Sequence, residues 1–590
     1  MKKRITALLL AALFVAALAS CNTPGTPTEQ TPWNPVGEPN EFGWIRPEET
    51  LRITVFGGEN DPVRRAEDLK GGLAYMNAWL LEHMNVVIEW EVYAQNVTER
   101  LNLMLADGSY PEVLIAVPDD MANRFAAQGR AVDLSPYLES HLPNMTRRVG
   151  DYMNMLRTDD GKLYKLPSGW GDNPNVPGHD FGIRYDLWLE LGVDEIYTTP
   201  EEYYETLKAI LANHPTNADG QKTYAFTATN WSGDQGTFML RAFLAAYGFN
   251  HDGPGAGVQY LHNKEDGSFR HWLRTDEGRE ISLLMNRMWR EGMIDPDYLS
   301  TTYDDYISKL ATHRVIGNLG TWWYAWVGGH EIWSVENPDY QIEQRFMNVS
   351  ITGPGVPYEE TRLLTQNFLG NRGDRVIITD KCNQIEAVLA FIDWQASELG
   401  NMITGWGPPV ETNNWWIDEN GMWVVSDDII DNVSQKNIYF HDTRERHGAN
   451  THNIGGNVNW LRCDGRSVFD RIDPRVTRVS IFDYWPVDPE TGEFTDPGTR
   501  ISWGNYKAPA FDTILYNTSF DPEARVTQIR ATMIDMLPVW WANIMTADSE
   551  EACLRAIDDS LAAAENLGLA VLEQFYKDNY EANYAKMFGN

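Results

Sequence analysis

The sequence predicts an α/β protein built as two lobes, and three observations lead there. Apolar strand-like runs alternate with amphipathic helical runs over residues 51–120, giving a β-α-β-α-β order. The chain has 590 residues, more than a single hydrophobic core accommodates. Its middle then turns helical before a further strand, "RVIIT" from Arg375, is followed by another amphipathic helix.

Ahead of the first strand, Lys2, Lys3 and Arg4 precede the apolar run "ITALLLAALFVAALA", which ends at Ser20 and Cys21. Residues 1–20 read as a secretion signal, since the run is short for a membrane span and small residues precede the cleavage point. "LASC" resembles the lipobox of bacterial lipoproteins, which implies a diacyl anchor on Cys21 and an extracytoplasmic protein tethered to the cell membrane. The alternatives are an ordinary cleaved signal followed by an incidental cysteine, or an uncleaved anchor. Residues 21–44, rich in Pro and Thr and without a hydrophobic period, read as a lipidated linker that lifts a body beginning near Trp44 off the lipid.

"LRITVFGG" alternates as a strand does, and Leu69, Leu73, Met76 and Leu80 follow at helical spacing. "VVIEWEVYA" is a second strand. Asn96 with Glu99 caps a helix whose Leu101, Met104 and Leu105 face inward, and "DGSYPEVLIAVPDD" supplies a third strand and a polar loop. In an open α/β sheet the ligand loops follow the carboxyl ends of strands, which singles out Glu59 and Asn60 in one loop and Asp119 in the other. Further on, Thr199, Pro200 and Glu202 form an N-cap, a first-turn proline and a capping box. Ile281, Leu284, Met285 and Met288 trace one helix face; Ile385, Val388, Leu389 and Ile392 trace another. No fixed-period repeat is present.

The 84 acidic residues outnumber the 48 basic ones, so nucleic acid is excluded as a partner. After Cys21 only Cys382, Cys463 and Cys553 remain, too few for a disulfide scaffold, and whether any two pair is left open. Nucleophile elbows, zinc helices, Cys-x-x-Cys pairs and phosphate loops are all missing, and the glycines of "GPGAGV" at Gly253 lack a strand and helix around them. A glycosidase carboxylate pair is spatial rather than sequential, so it leaves no pair to name. The expectation is a binding protein without catalytic residues.

The 23 tryptophans point to the ligand. "SGWGDN" with Trp170 and Asp172, "TNWSGD" with Trp231, and "LGTWWYAWVGGH" with Trp322 and Trp323 each set an indole among small polar residues. A pyranose has an apolar CH face that a rigid ring covers and a hydroxyl rim that Asp or Asn can hold. Either of Trp322 and Trp323 is alternatively a core residue, because neighbours on a strand point to opposite faces.

Several segments also look familiar in order. "DGKLYKLP" from Asp160, "IRYDLWLELGV" from Ile183, "TTPEEYYETLKAI" from Thr198 and "FIDWQASELGNMITGWGPPVETNNWWIDENG" from Phe391 resemble the extracellular solute-binding proteins, family 1, in particular the long lipoproteins of carbohydrate ABC importers. The resemblance implies a type II periplasmic-binding-protein-like fold with discontinuous lobes and a central ligand cleft. Lobe I would comprise residues 45–165 and 342–395, lobe II residues 166–341 and 396–590. It further implies that Ser168 to Asp172 line the cleft, that "GNLGTWW" lies at the rim of lobe II, and that Asn367 and Trp406 join the ligand-binding set. The implied function is capture of a sugar, expected to be an oligosaccharide, for permease subunits of an ABC transporter by a monomeric protein. A peptide or other polar solute is the alternative within the fold, and a surface glycoside hydrolase or lyase the alternative outside it. Long members often carry a calcium loop resembling an EF-hand after the "TTPEEYYETL" helix. Here "PTNADGQKTY" keeps Asn217, Asp219 and Gly220 but has Pro215, Thr223 and Tyr224 where acidic ligands are expected, so neither a metal nor another cofactor is expected.

Overall fold

The structure, a computed structural model, describes residues 30–33, 35–57, 72–91, 97–170, 180–193, 195–227, 237–252, 257–320, 344, 346–369, 374–406, 415–420, 423–425, 462–463, 511–520 and 523–589. The chain divides into two compact units. The first comprises Met1–Gly171, Leu369–Ile429 and Phe440–Asp464, and the second Asp172–Phe368, Ile430–Tyr439 and Gly465–Asn590.

Unit 1 is organised by β1 (Leu51–Gly57), β2 (Val86–Glu91), β3 (Val113–Pro118), β4 (Leu166–Pro167) and a return strand, Asp374–Ile378, in the order β2-β1-β3-return-β4. β1 runs parallel to β2 and β3, and the return strand runs antiparallel to β3 and β4. The consecutive buried residues Val113, Leu114 and Ile115 on β3 are what a central strand covered on both faces requires. Helix Val97–Asp107 packs Leu101, Met104 and Leu105 against Phe56, Met121, Phe125 and Ile377, as the helical spacing predicts; Asn96 lies outside the described residues. β3 holds one residue more than the return strand between the pairs Val117–Arg375 and Leu114–Ile377, and Ala116 in that bulge takes φ 53.

Three expected boundaries are corrected. Residues 30–44 are not a free linker: Gln30 donates from Nε2 to Cys382 O at 3.0 Å and accepts at Oε1 from the Ile385 amide at 3.3 Å. Trp33 packs on Trp44 at 5.6 Å between ring centroids, the Trp44 indole donates to Met84 O at 2.9 Å, and the Trp394 indole to Phe42 O at 2.8 Å. The contacts to Cys382, Ile385 and Trp394 are made across hundreds of residues, so a local search for periodicity does not register them. The return to unit 1 comes at Leu369 rather than at 342, because Phe346–Val349 pairs antiparallel with Asp180–Arg184 in unit 2. Nor does unit 1 end at 395: helix Glu398–Trp406 continues it, with Ile403 and Thr404 fully buried.

Unit 2 has a three-stranded antiparallel sheet with Asp180–Arg184 between Gly317–Gly320 and Phe346–Val349. Helix Pro200–Asn213 begins with the expected capping box, Thr199 and Glu202 bonding reciprocally. Helix Asp276–Arg290 buries Ile281, Leu284, Met285 and Met288 as the periodicity predicts. The C-terminal helices Arg525–Met545, Glu550–Leu567 and Leu569–Phe588 join this core through buried polar contacts. Asn286, fully buried, donates to Met545 O at 3.0 Å and Ala547 O at 2.7 Å. The buried Asp252 carboxylate accepts from Arg530 at 2.6 and 3.0 Å, the Tyr576 hydroxyl at 2.6 Å and the Val258 amide at 2.8 Å. Cys382 and Cys553 are free, buried thiols, and burial pushes them up to about 12 and about 11 respectively. Among the described residues no helix is long and apolar enough to cross a membrane.

Removing one partner from a buried ion pair strands the other charge, so Asp252→Ala is expected to cost about 3–5 kcal/mol, read as a lowered urea midpoint. In unit 1, Trp44→Ala is expected to cost about 3–5 kcal/mol, as truncation of a buried aromatic does, and to raise amide exchange at residues 382–386.

Candidate ligand-binding site

The chemistry at the carboxyl end of the unit 1 sheet centres on Asp119. It follows Pro118, the last residue of β3, and opens helix Asp119–Ala127, where the aligned peptide dipoles favour an anion. Oδ1 accepts from Arg375 Nε at 2.6 Å and from Lys165 Nζ at 2.9 Å, and Oδ2 from the same ammonium at 2.8 Å. Lys165 also donates to Asn123 Oδ1 at 2.7 Å, and Asn123 donates to Asp119 Oδ2 at 3.3 Å. The Arg375 and Lys165 side chains are 6% and 10% exposed, whereas Asp119 keeps 38% of its side-chain surface open. Burial works against the Asp119 charge, but Arg375 and Lys165 outweigh it and hold the carboxyl below the ordinary carboxylate range.

This is an oriented, ionised carboxylate with part of its surface free, able to accept further hydrogen bonds from hydroxyl groups. Each cation is supplied by a segment near a unit boundary: Lys165 immediately before β4, and Arg375 on the return strand after Leu369. Sequence reading found Asp119 from its place after a strand but missed both cations. Lys165 sits in the stretch "DGKLYKLP", read only for its family resemblance, and Arg375 in one read as a strand, and only pairing of β3, the return strand and β4 brings them together.

The other sequence-predicted residues are not gathered with Asp119 by any described contact. Trp170 lies on the short strand Gly169–Trp170, paired in parallel with Arg462–Cys463, and Trp406 ends helix Glu398–Trp406; both side chains lie outside the described residues. Glu59, Asn60, Asp172, Trp231, Trp322 and Trp323 lie wholly outside them, as does Cys21. Asn367 belongs to unit 2, follows strand Thr365–Gln366 and donates to Asn517 Oδ1 at 3.1 Å. The loop after helix Pro200–Asn213 does not offer the ligand set of a calcium ion. Asn217 Oδ1 accepts from the Asp219 and Gln221 amides at 3.1 and 2.8 Å, and Asp219 is the loop's one carboxylate. No metal-binding group of three or more His, Cys, Asp or Glu occurs among the described residues.

Asp119→Ala is expected to cost about 3 kcal/mol, the lower end for breaking a buried pair because the carboxylate is partly exposed. A group with a depressed folded pKa stabilises above its ordinary range and loses that contribution on acidification. The gap in melting temperature between the unaltered protein and Asp119→Asn should therefore be wide at neutral pH and close as acid protonates Asp119.

No family model matches the chain. In sequence it is similar to the fructooligosaccharide ABC transporter substrate-binding protein FusA of Streptococcus pneumoniae, with 21% identity over 342 residues, 56% of this chain and 58% of that protein. The match thus spans little more than half of that relative. A solute-binding protein from Bifidobacterium longum infantis, described as HMO binding and ABC-transporter associated, superposes with a TM-score of 0.60 at 16% identity, covering 91% of this chain and 99% of that one. FusA in complex with kestose gives 0.57 at 16% over 90% and 99%, and its EF-hand mutant 0.56. The alginate-binding protein AlgQ2 without calcium ion gives 0.57 at 15% over 91% and 99%. The chain has the α/β fold of the extracellular solute-binding proteins and is a distant sequence relative of one of them.

Proposed function

We propose that this chain captures an oligosaccharide outside the cell and hands it, unaltered, to the permease subunits of an ABC importer. The observation that supports this reading most is the sequence kinship with FusA, whose name assigns it fructooligosaccharide, on a shared fold. The ionised Asp119, held by two cations at the ligand-loop end of the sheet, suits a hydroxylated ligand. Asp119 orients hydroxyls, and one of Trp322 and Trp323 supplies the platform for a pyranose or furanose ring, with Trp170, Trp231, Asp172, Glu59, Asn60, Asn367 and Trp406 as further contacts. The protein acts as a monomer without catalytic residues.

The same reading places a diacyl anchor on Cys21. Because Gln30 is hydrogen-bonded to unit 1, the nine peptide steps from Cys21 to Gln30 limit the free reach of the anchor to about 30 Å. Release of the protein from membranes by Cys21→Ser is the expected result, and a variant that stays membrane-bound removes the anchor from the proposal.

Titration of the purified protein with kestose and longer fructooligosaccharides tests the binding reading, with chromatography of the sugars afterwards. Saturable binding with all sugar recovered intact is expected; hydrolysis products would make it an enzyme, and binding of peptides alone would replace the ligand class. On a bound sugar, Trp322→Ala or Trp323→Ala should lose about 1–3 kcal/mol, one to two orders of magnitude in affinity, with little change in melting temperature. If both variants are destabilised and neither binds more weakly, the rings are core and the platform lies elsewhere.

A further inference from the structure

We propose that the side-chain amide of Asn217 performs in this chain the loop-closing role that a bound cation has in a calcium loop, so that the segment is folded without metal. Its observations lie wholly within unit 2 and do not depend on the sugar reading.

The segment follows helix Pro200–Asn213 and doubles back on itself. Thr216 and Lys222 form an antiparallel bridge, the Thr223 amide donates to Pro215 O at 3.1 Å, and the Asn217 amide to Gln221 O at 2.8 Å. Gly220 makes the reversal at φ 75, a conformation that side chains with a Cβ seldom adopt. At the centre stands the Asn217 side chain. Its Oδ1 accepts from the backbone amides of Asp219 and Gln221, at 3.1 and 2.8 Å, and its Nδ2 donates to Gln221 Oε1 at 3.0 Å and to Thr312 O at 2.8 Å. Four bonds use the whole capacity of a primary amide. Backbone donors on one side and a backbone acceptor on the other also decide which end is oxygen.

The bond to Thr312 ties the loop to another element. Thr312 is the C-cap of helix Tyr303–Ala311, where carbonyls lose their intrahelical partners. The Ile316 amide, which a continuing helix would direct at Thr312 O, instead donates to Tyr224 O at 3.0 Å, and His313 leaves the helix in the left-handed region at φ 57. Asn217 thus closes the turn with its oxygen and caps the neighbouring helix with its nitrogen.

A cation could not take over this centre without dismantling it. Calcium needs roughly six to eight oxygen ligands. Here Asn217 Oδ1 faces two N–H groups, while Thr312 O and Gln221 Oε1 each receive an amide hydrogen. Positive hydrogen ends of dipoles therefore converge where an ion would have to sit, and the lone carboxylate, Asp219, is exposed. One neutral side chain satisfies donors and acceptors that an ion and several acids would otherwise organise.

Hydrogen-exchange mass spectrometry on the mature protein, in calcium chloride and in EDTA, tests this. In the unaltered protein, exchange of peptides covering 214–224 and 310–316 should be the same in both buffers. Asn217→Ala should speed exchange in both peptides by on the order of tenfold, the equivalent of about one lost hydrogen bond, and calcium should not restore it. Asn217→Asp separates the two roles: it keeps the acceptor oxygen and loses the donor, so 214–224 should stay largely protected while 310–316 loosens. Slower exchange in calcium for the unaltered protein would overturn the proposal, as would unchanged protection in Asn217→Ala. Equal behaviour of Asn217→Asp and the unaltered protein would remove the helix-capping half.

Discussion

The carboxylate of Asp119 is the contact on which the ligand-loop end of unit 1 depends. Two cations from distant segments, Lys165 and Arg375, are almost fully buried there, and burying either charge without a counter-ion is prohibitive. Asp119 makes their burial tolerable and so holds together three strand ends: β3, which it follows, β4, which Lys165 precedes, and the return strand that carries Arg375. The β-bulge at Ala116 lies one turn of the pleat before this point and adds twist where the strand delivers its carboxylate. Charge compensation and strand pairing are here one constraint, since neither the pairing nor the burial stands without the other.

Unit 2 shows the same logic in a larger core. Its apolar cluster supplies the bulk of the driving force, but an apolar surface does not select which helix packs on which. Asn286 against the carbonyls at the end of helix Arg525–Met545, and Asp252 against Arg530 and Tyr576, fix the C-terminal helices in one arrangement. A buried polar group tolerates one partner geometry and penalises the others. The Asn217 amide extends this to the surface, where a turn and a helix end share one side chain.

On the proposed reading as an oligosaccharide binder, this division of labour suits the task. Rings give broad, weakly directional affinity for the CH faces of a saccharide, while held carboxylates and amides decide which hydroxyl pattern fits. In the proposed site, an acid already paired with buried cations would meet a sugar hydroxyl as an oriented acceptor rather than as a free charge to be desolvated, which lowers what binding must overcome. With the proposed lipid on Cys21, the nine peptide steps to the docked Gln30 would hold the protein near the membrane surface.

What the sequence determined by itself was local. The alternation in "LRITVFGG", the helical spacing of Leu101, Met104 and Leu105, and the Thr199–Glu202 capping box all reappear in the structure, because each depends on neighbours within one turn or one strand. The place of Asp119 just past an apolar strand was legible too, because the strand's own pattern ends at Pro118. The tertiary structure alone decided that Lys165 and Arg375 converge on it, that residues 30–44 pack on the helix Ile385–Ala396 instead of trailing free, and that Phe346–Val349 belongs to unit 2. A lysine before a short strand, or a tryptophan in a proline-rich run, carries no local mark of its partner. Its meaning is set by residues beyond its own strand or turn, which only strand pairing and core packing bring into contact.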